Sequence, residues 1–513
     1  LKKRALFTIP ISLLLIAVMA TSFFLINIKP AAGNISSAQR LAEYTKPAVV
    51  RIVDYAVVQW QFNDNNPNVK AVFNQLKNQS IIGGSGSGAI ISSNGYIVTN
   101  AHVVEFAKMK DEDIANEAFK QLVAIMADYF KEDYKVAYDY LVAYTQYTDI
   151  KKVTKVILPG GDILDGEIKS YGAPINEGKD VAVVKIEGKN LPTIPLGDSD
   201  DIQNQDNIWV SGYPAAGDSD LLSPDSSLVS SMNAGQISAT SKKTEQGSPV
   251  IQINAAATHG NSGGPVINEK GQIIGLLTFR GDTVNGQEVQ GFNFAVPVNT
   301  VKEFVNQAGV KNFKSDTDKL FKEGLDLYWG GYYKHALAKF EAVQRIYPNH
   351  SEIKQYIANS EKKMSSSKML WSDYTTIFYI VDGVSGLLVI ILLVFTFAFR
   401  PKQPAVAAGN ANPIPAPVAP IVPEAPVAPV APAAPAGPTA SVPPVAHEAP
   451  TAAPPAPAAP VAPAVPPTTP AGPPVSENTL SNLTKDGKID IQEILLALQE
   501  HQEKQKKKEK GEE

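Results

Sequence analysis

The sequence predicts a mainly β fold for the centre of a 513-residue chain, with helices and two membrane spans attached to it. Between about Ala48 and Val298, short β-branched runs alternate with Gly, Asn, Pro and Asp turns, the rhythm of an all-β sandwich or barrel. Two stretches, Ala5–Ile28 and Ile377–Phe399, are apolar over the length that crosses a bilayer. Residues 401–475 are Pro, Ala and Val with almost no charge, a composition that favours extended polyproline chain over a packed core. A chain this long exceeds one ordinary core, and these compositional shifts divide it.

In chain order, residues 1–30 read as an anchor, since Lys2, Lys3 and Arg4 precede an apolar run longer than a signal-peptide core. Cleavage near Ala31 or Ala32 is the rival reading. Residues 35–305 hold the β domain, with candidate strands at Val49–Val58, Ala89–Ile91, Tyr96–Thr99, Val153–Leu158, Val181–Ile186, Ile208–Ser211, Val250–Ile253, Ile273–Thr278 and Phe292–Val296. An insertion at 105–150 breaks the rhythm. Phe119, Leu122, Val123, Met126 and Phe130, then Val136, Tyr140, Leu141 and Tyr144, recur at helical spacing and predict two helices that cover the β domain or act as a lid.

Residues 315–364 are strongly helical. Gly324, Gly331, Tyr333, Ala336, Phe340 and Pro348 resemble the small, aromatic and turn positions of one tetratricopeptide repeat. A lone repeat has too little neighbour surface to stand by itself, so it must pack on the β domain, a second subunit or a peptide. The second span covers 375–400 and ends at Arg400 and Lys402. The basic start of the chain places both termini in the cytoplasm and the β domain outside, although Lys362, Lys363 and Lys368 on the outer flank rival Arg400 and Lys402. The Pro/Ala stretch could extend on the order of 200 Å at ~3.1 Å per residue. Residues 476–513 form a helical tail whose helix runs from Ile489 to Lys510, and at 482–493, where it starts, Asn482, Thr484, Asp486, Gly487, Asp490 and Glu493 lie at the spacing of a calcium-binding EF-hand loop. Asn482 and Thr484 replace the usual acids, which favours a polar turn capping a helix.

Composition narrows the function classes. The net charge is −5 with no basic stripe across the β domain, so the electrostatic footprint of nucleic-acid binding is missing. With no cysteine there is no disulfide, thiolate zinc site or cysteine nucleophile, and no cofactor or metal is expected.

Three motifs carry chemistry. Thr258-His259-Gly260-Asn261-Ser262-Gly263-Gly264-Pro265 sets a serine among glycines that let backbone N–H groups approach a substrate, and Gly260 and Ser262 would supply oxyanion donors. Serine is a weak nucleophile without a base. Tyr96-Ile97-Val98-Thr99-Asn100-Ala101-His102 puts a histidine just beyond an apolar strand, and Lys179-Asp180-Val181-Ala182-Val183-Val184 puts an acid at the mouth of another. The order His102, Asp180, Ser262 is the chymotrypsin order, not that of subtilisin or the α/β-hydrolases. Asp162 and Asp165 are rival acids in a Gly-rich turn, and His259 reads as a loop residue.

These motifs, with Gly84-Ser85-Gly86-Ser87-Gly88-Ala89-Ile90-Ile91, resemble the HtrA-type (high-temperature-requirement) branch of the trypsin-like serine proteases over residues 40–305. The resemblance implies a trypsin-like double six-stranded β-barrel. It further implies hydrolysis of polypeptide substrates through an acyl-enzyme, with a role in extracytoplasmic protein quality control or regulated cleavage. It also implies a primary pocket with Ala256 at its floor and Leu277, Thr278 and Phe279 as a wall, suited to small or medium apolar side chains. HtrA proteins commonly carry PDZ domains, and the tetratricopeptide-like unit occupies that place here. Oligomerisation, and protein partners for the helical unit and the Pro/Ala tail, stay open. The competing reading is a non-catalytic or ligand-gated peptide-binding scaffold.

Overall fold

The computed structural model describes residues 2–30, 33–214, 226, 228–280, 291–311 and 315–397. The Pro/Ala stretch, the C-terminal tail and the EF-hand-like loop lie outside them.

An apolar helix, α1 (Lys2–Ile26), leads to α2 (Ser37–Thr45), whose N-terminus is closed by a capping box between Ser36 and Gln39. The first sheet is built from β1 (Val49–Phe62), β2 (Gln79–Ser92), β3 (Tyr96–Thr99), β4 (Thr145–Ile157), β5 (Ile163–Asp165), β6 (Glu167–Tyr171) and β7 (Ala182–Lys185). α3 (Pro67–Gln75) lies between β1 and β2, and α4 (Asp111–Phe130) with α5 (Tyr134–Tyr144) lies between β3 and β4. The second sheet holds β8 (Asn207–Gly212), β9 (Ser231–Lys243), β10 (Pro249–Ile253), β11 (Pro265–Asn268), β12 (Ile273–Arg280) and β13 (Asn293–Pro297). Helices α6 (Val298–Gln307), α7 (Asp316–Gly330), α8 (Tyr333–Ile346), α9 (Ile353–Lys362) and α10 (Thr375–Phe397) follow.

The second sheet closes as a six-stranded barrel, as the resemblance implies. The first differs: it has seven strands in the order β5-β4-β1-β2-β3-β7-β6, without a ladder closing its ends. The cause is local. β5 and β6 are two halves of one bent segment that pairs with β4 before Gly166 and with β7 after it. A Cβ at Gly166 would lie 2.9 Å from Val184 Cγ1 and 3.2 Å from Thr154 Cγ2, so only glycine can turn this corner against the core.

The two inserted helices exist, and they are built onto the far end of the β1–β2 hairpin rather than laid loosely on the surface. Ile114, Ala118, Leu122, Val123 and Met126 line one face of α4 and bury against Ala56, Val58 and Trp60 of β1, Ile82 of β2 and Val72 and Phe73 of α3. Asp111, Glu112 and Asp113 in the first turn of α4 favour its N-terminal dipole. This satellite core explains why β1 and β2 run to 14 residues each, beyond the sequence prediction.

In the helical unit, α7 starts on a Ser315–Asp318 capping box and stops at Gly331, where φ is +86°. A Cβ at Gly324 would lie 2.6 Å from Phe340 Cε1, so glycine lets α7 and α8 close on the fully buried Phe340. The unit packs on the β domain: Asp318 accepts from Thr193 N–H (2.9 Å), and Lys46 pairs with Glu352 at 3.0 Å.

Helices α1 and α10 are long and apolar enough to cross a membrane. The Thr396 hydroxyl donates to that of Thr8 (2.7 Å), and Met19 Cε lies 3.9 Å from the position of a Cβ on Gly386.

Candidate active site

Strand register brings the first two site residues together. β3 and β7 are antiparallel with Thr99 opposite Ala182, so His102, three residues past one strand end, meets Asp180, two residues before the other. His102 opens a short 3₁₀ turn to Val104. Its Nδ1 lies 2.7 Å from Asp180 Oδ2, and its backbone N–H donates to Asp180 Oδ1 at 3.0 Å. Asn100 Nδ2 donates to the Asp180 carbonyl oxygen at 2.8 Å, fixing the acid's backbone as well. Asp180 is fully buried, whereas the His102 side chain keeps 32 % of its surface open, so the ring has one dry edge and one accessible edge.

The same buried carboxylate has a third partner. Thr278 on β12 donates its hydroxyl to Asp180 Oδ2. With the His102 N–H and ring, three donors therefore converge on one acid, and β12 of the barrel is tied to the histidine side of the first sheet. Burial alone would push the His102 imidazole down, but the hydrogen bond to Asp180 and its negative charge, aided by Glu105, hold it above its ordinary value. Glu105 is itself held above the usual carboxylate range, first by burial and then by repulsion from Asp180 and Glu177.

Ser262 sits in the loop from β10 to β11. Asn261 N–H closes a turn onto the Thr258 carbonyl (3.2 Å) with Gly260 at φ +88°. Gly263, at φ +81°, has no room for a side chain: a Cβ there would lie 2.2 Å from Thr99 Oγ1 and 2.3 Å from Ser87 O. Among the described residues, neither the Gly260 N–H nor the Ser262 N–H takes a backbone partner. The Ser262 hydroxyl donates to the Thr278 carbonyl at 3.2 Å.

Ser87, on β2, was not singled out by the sequence reading, yet it clamps this loop from the first sheet. It is fully buried, its hydroxyl donates to the Gly260 carbonyl (2.7 Å) and accepts from Tyr213 N–H (2.9 Å), and its own N–H donates to the Ser262 carbonyl (2.7 Å). The Gly-Ser-Gly-Ser-Gly run that contains it was visible as a family motif. A hydroxyl contact to a residue 173 positions away is not a sequence signal.

The expected pocket residues are partly redirected. Ala256 is exposed, with its carbonyl accepting from Asn233 Nδ2 at 2.9 Å. Leu277 turns into the core of the second barrel, and the Thr278 side chain turns to Asp180, so what Thr278 offers beside Ser262 is its carbonyl. Phe279 is placed on β12 by its pairing with Phe294, and its side chain is outside the described atoms. The rival acids are occupied elsewhere: Asp162 accepts from Asn349 and Asp165 pairs with Lys155. His259 is exposed.

Comparison with known proteins places this architecture in a class. Residues 86–276 match the trypsin-like peptidase domain family, a span that contains His102, Asp180 and Ser262. Over residues 86–276 the chain is thus similar to a trypsin-like peptidase domain, and relatives that it matches are named as serine proteases. It is 31 % identical over 225 residues to HhoB, named as a serine protease, of Synechocystis sp., covering 43 % of this chain and 39 % of that one. To a DegP-like protein of Ectopseudomonas mendocina, named as a periplasmic serine endoprotease, it is 28 % identical over 290 residues, covering 54 % and 47 %. To the mitochondrial serine protease HTRA2 of Bos taurus it is 26 % identical over 235 residues, covering 44 % and 37 %. The chain therefore spans between about two fifths and one half of the length of these relatives. Among solved structures, the HtrA-type protease AlgW with decapeptide aligns with a TM-score of 0.34 at 24 % identity, covering 53 % of this chain and 67 % of that one.

Proposed function

We propose that the chain is a membrane-anchored serine endopeptidase that cleaves polypeptides through an acyl-enzyme, with Ser262 as nucleophile, His102 as base and Asp180 as its orienting acid. The observation that carries this reading is the buried Asp180 holding His102 at both its backbone and its ring, and joined through Thr278 to the Ser262 hydroxyl. Nδ1 donates to Asp180, which leaves Nε2 as the acceptor for the serine proton. The Gly260 and Ser262 N–H groups would receive the oxyanion that forms on the attacked carbonyl. Fluorophosphonate labelling that is lost in Ser262→Ala and in His102→Ala tests this assignment.

The serine hydroxyl rests on the Thr278 carbonyl. A substrate laid along β12 would offer its own backbone N–H to that carbonyl, which frees the hydroxyl to turn to His102. This contact favours a second reading, a peptidase whose site engages only when a peptide is bound. It also separates a gated enzyme from a pure scaffold, because the gated enzyme gains labelling when unfolded protein is added.

Two further results follow from the geometry. The base must be neutral to act, and Asp180 raises the His102 pKa, so the ring stays protonated to higher pH than an ordinary imidazole. The acid limb of kcat/KM is therefore expected above about pH 6.5, the ordinary imidazole value, and activity falls as pH drops through it. A pH profile with its limb at or below that value would contradict the assignment of the base.

Ser87→Ala leaves the buried Gly260 carbonyl and Tyr213 N–H without their hydroxyl partner. The cost is about 1–3 kcal/mol, shared between stability and the placement of the oxyanion donors. We expect kcat to fall about tenfold with KM little changed, and the affinity for a peptide boronate to fall in step. Unchanged kcat would remove Ser87 from the site.

For the anchor, α1 and α10 are the supporting observation, and HtrA relatives named as periplasmic suit an extracytoplasmic peptidase domain. Polypeptides damaged or misplaced outside the cytoplasm are the substrate class this arrangement fits. The tetratricopeptide-like reading of α7–α9 is supported by the Gly324–Phe340 packing and by buried Ala336.

A further inference from the structure

The α7–α9 unit has two ends of different character. At one end it is locked into the peptidase domain: Asp318 accepts from Thr193, Thr317 Oγ1 donates to the Asn190 carbonyl (2.6 Å), and Asn190 Nδ2 donates to the Ile346 carbonyl (3.1 Å). At the other end, about 22 Å away along a 15-residue helix, lies the turn between α7 and α8. The segments that leave both apolar helices converge on that turn. After α1, Gly33 is pressed against the Trp329 carbonyl so closely that a Cβ would lie 1.9 Å from its oxygen, and Arg40 stacks over the Trp329 ring at 5.1 Å while pairing with Asp326. Before α10, Lys368 donates its N–H to Gly331 O (2.9 Å) and Nζ to Gly330 O (2.8 Å), and His335 meets Asp373 at 2.9 Å.

We propose that α7–α9 is a rigid foot whose span-side end seats on the headgroup layer of the bilayer, with Lys334, Lys362, Lys363 and Lys368 facing anionic lipid phosphates. This rests on the membrane-spanning reading of α1 and α10 and extends it to the surface of the folded domain. All four lysines are exposed and none is in an ion pair among the described residues; within the unit, Lys363 Nζ donates to the Tyr328 hydroxyl (2.8 Å) and Lys368 Nζ to the Gly330 carbonyl. Beside them Met369, Trp371 and Tyr374 are 53 %, 50 % and 42 % exposed, the amphipathic side chains that settle at a membrane–water boundary. Because the turn is where both spans emerge, the surface next to it is the bilayer and not a soluble peptide. The lysines that weigh against a positive-inside orientation thereby gain a reason to be outside: a folded surface presents them to headgroups. The peptidase site would then be held at a fixed height above the membrane, since the foot is bonded at both ends.

The chain has no cysteine, so single cysteines label uniquely. The full chain, reconstituted in nanodiscs of phosphatidylcholine with phosphatidylglycerol, would carry a fluorophore at Ser365→Cys or at Leu388→Cys. Lipids spin-labelled on the headgroup should quench most of the Ser365 probe, and lipids spin-labelled on the acyl chain should quench most of the Leu388 probe. Replacing phosphatidylglycerol by phosphatidylcholine, or changing Lys334 and Lys362 to glutamate, which leaves the Lys363–Tyr328 and Lys368–Gly330 bonds in place, should restore most of the Ser365 signal and leave Leu388 quenched. A quenched Leu388 probe beside an unquenched Ser365 probe overturns the foot alone. Ser365 quenching that ignores both lipid charge and the lysine changes overturns the anionic-lipid assignment. An unquenched Leu388 probe overturns the spanning reading itself.

Discussion

His102→Ala is expected to lower kcat for peptide hydrolysis by about a millionfold, leaving only the residual rate that substrate binding and the oxyanion donors supply. The loss is large because, among the described residues, the hydrogen-bond partner of the serine hydroxyl is the Thr278 carbonyl, an acceptor that cannot take its proton. Asp180 cannot substitute, because its carboxylate is fully buried and filled by the His102 backbone N–H and the Thr278 hydroxyl once the ring is gone. KM should change little, since the ring does not hold the substrate in the ground state. The check is kcat and KM on a peptide substrate, with thermal unfolding to show that the barrel survives. A loss of less than about a hundredfold would mean that another group takes the proton.

Asp180→Asn is expected to cost about ten thousandfold in kcat with the fold retained. Every contact of the Asp180 side chain is made to a donor: the His102 N–H, the His102 ring and the Thr278 hydroxyl. An amide offers one acceptor and one donor in the same space. Where its NH₂ faces the ring, Nδ1 must become the acceptor, which moves the imidazole proton to Nε2, the atom that has to receive the serine proton. Loss of the carboxylate also removes the two largest influences that raise the His102 pKa against its burial, the charge-assisted hydrogen bond and then the negative charge, so the acid limb of the residual activity should move to lower pH. A variant with near-native kcat would show that the acid is structural. The limb shift separates the two roles, since a merely structural acid would not move it.

The meeting of His102 with Asp180 was legible in the sequence because it depends on strand ends. An apolar run ending in Thr99-Asn100-Ala101-His102 and another beginning after Asp180 need only pair antiparallel for their residues to meet, and β3 and β7 do so. The glycines around Ser262 were legible for the same kind of reason, as positive φ at Gly260 and Gly263 is a local demand. What escaped was either polar or long-range. β9, Ser231–Lys243, lacks an apolar alternation strong enough to stand out, yet it pairs with both β8 and β10 and is needed to close the second barrel. The division of one segment into β5 and β6 turns on the contacts of Gly166 with Val184 and Thr154, which no local pattern records. Thr278 was expected at a pocket wall. Its strand was right, but the side of the strand it faces is set by a hydroxyl bond to an acid 98 residues earlier.

The helical parts divide similarly. The 3.6-residue period of α4 predicted its buried face, and Gly331 was legible as the turn after α7, whereas the Ser315–Asp318 capping box that starts α7 is seen only in the structure. That α7–α9 would be bonded to the peptidase domain at one end and to the span exits at the other depends on Thr193, Asn190 and Lys368, residues with no motif around them.

The central claim is that Ser262 is a nucleophile activated by His102. It is tested most directly by a fluorophosphonate probe on the full chain in detergent or nanodiscs, with and without an unfolded protein as activator. Covalent labelling of the native chain that disappears in Ser262→Ala and in His102→Ala is the predicted result. A native chain that stays unlabelled under both conditions, or labelling that persists in Ser262→Ala, would contradict it.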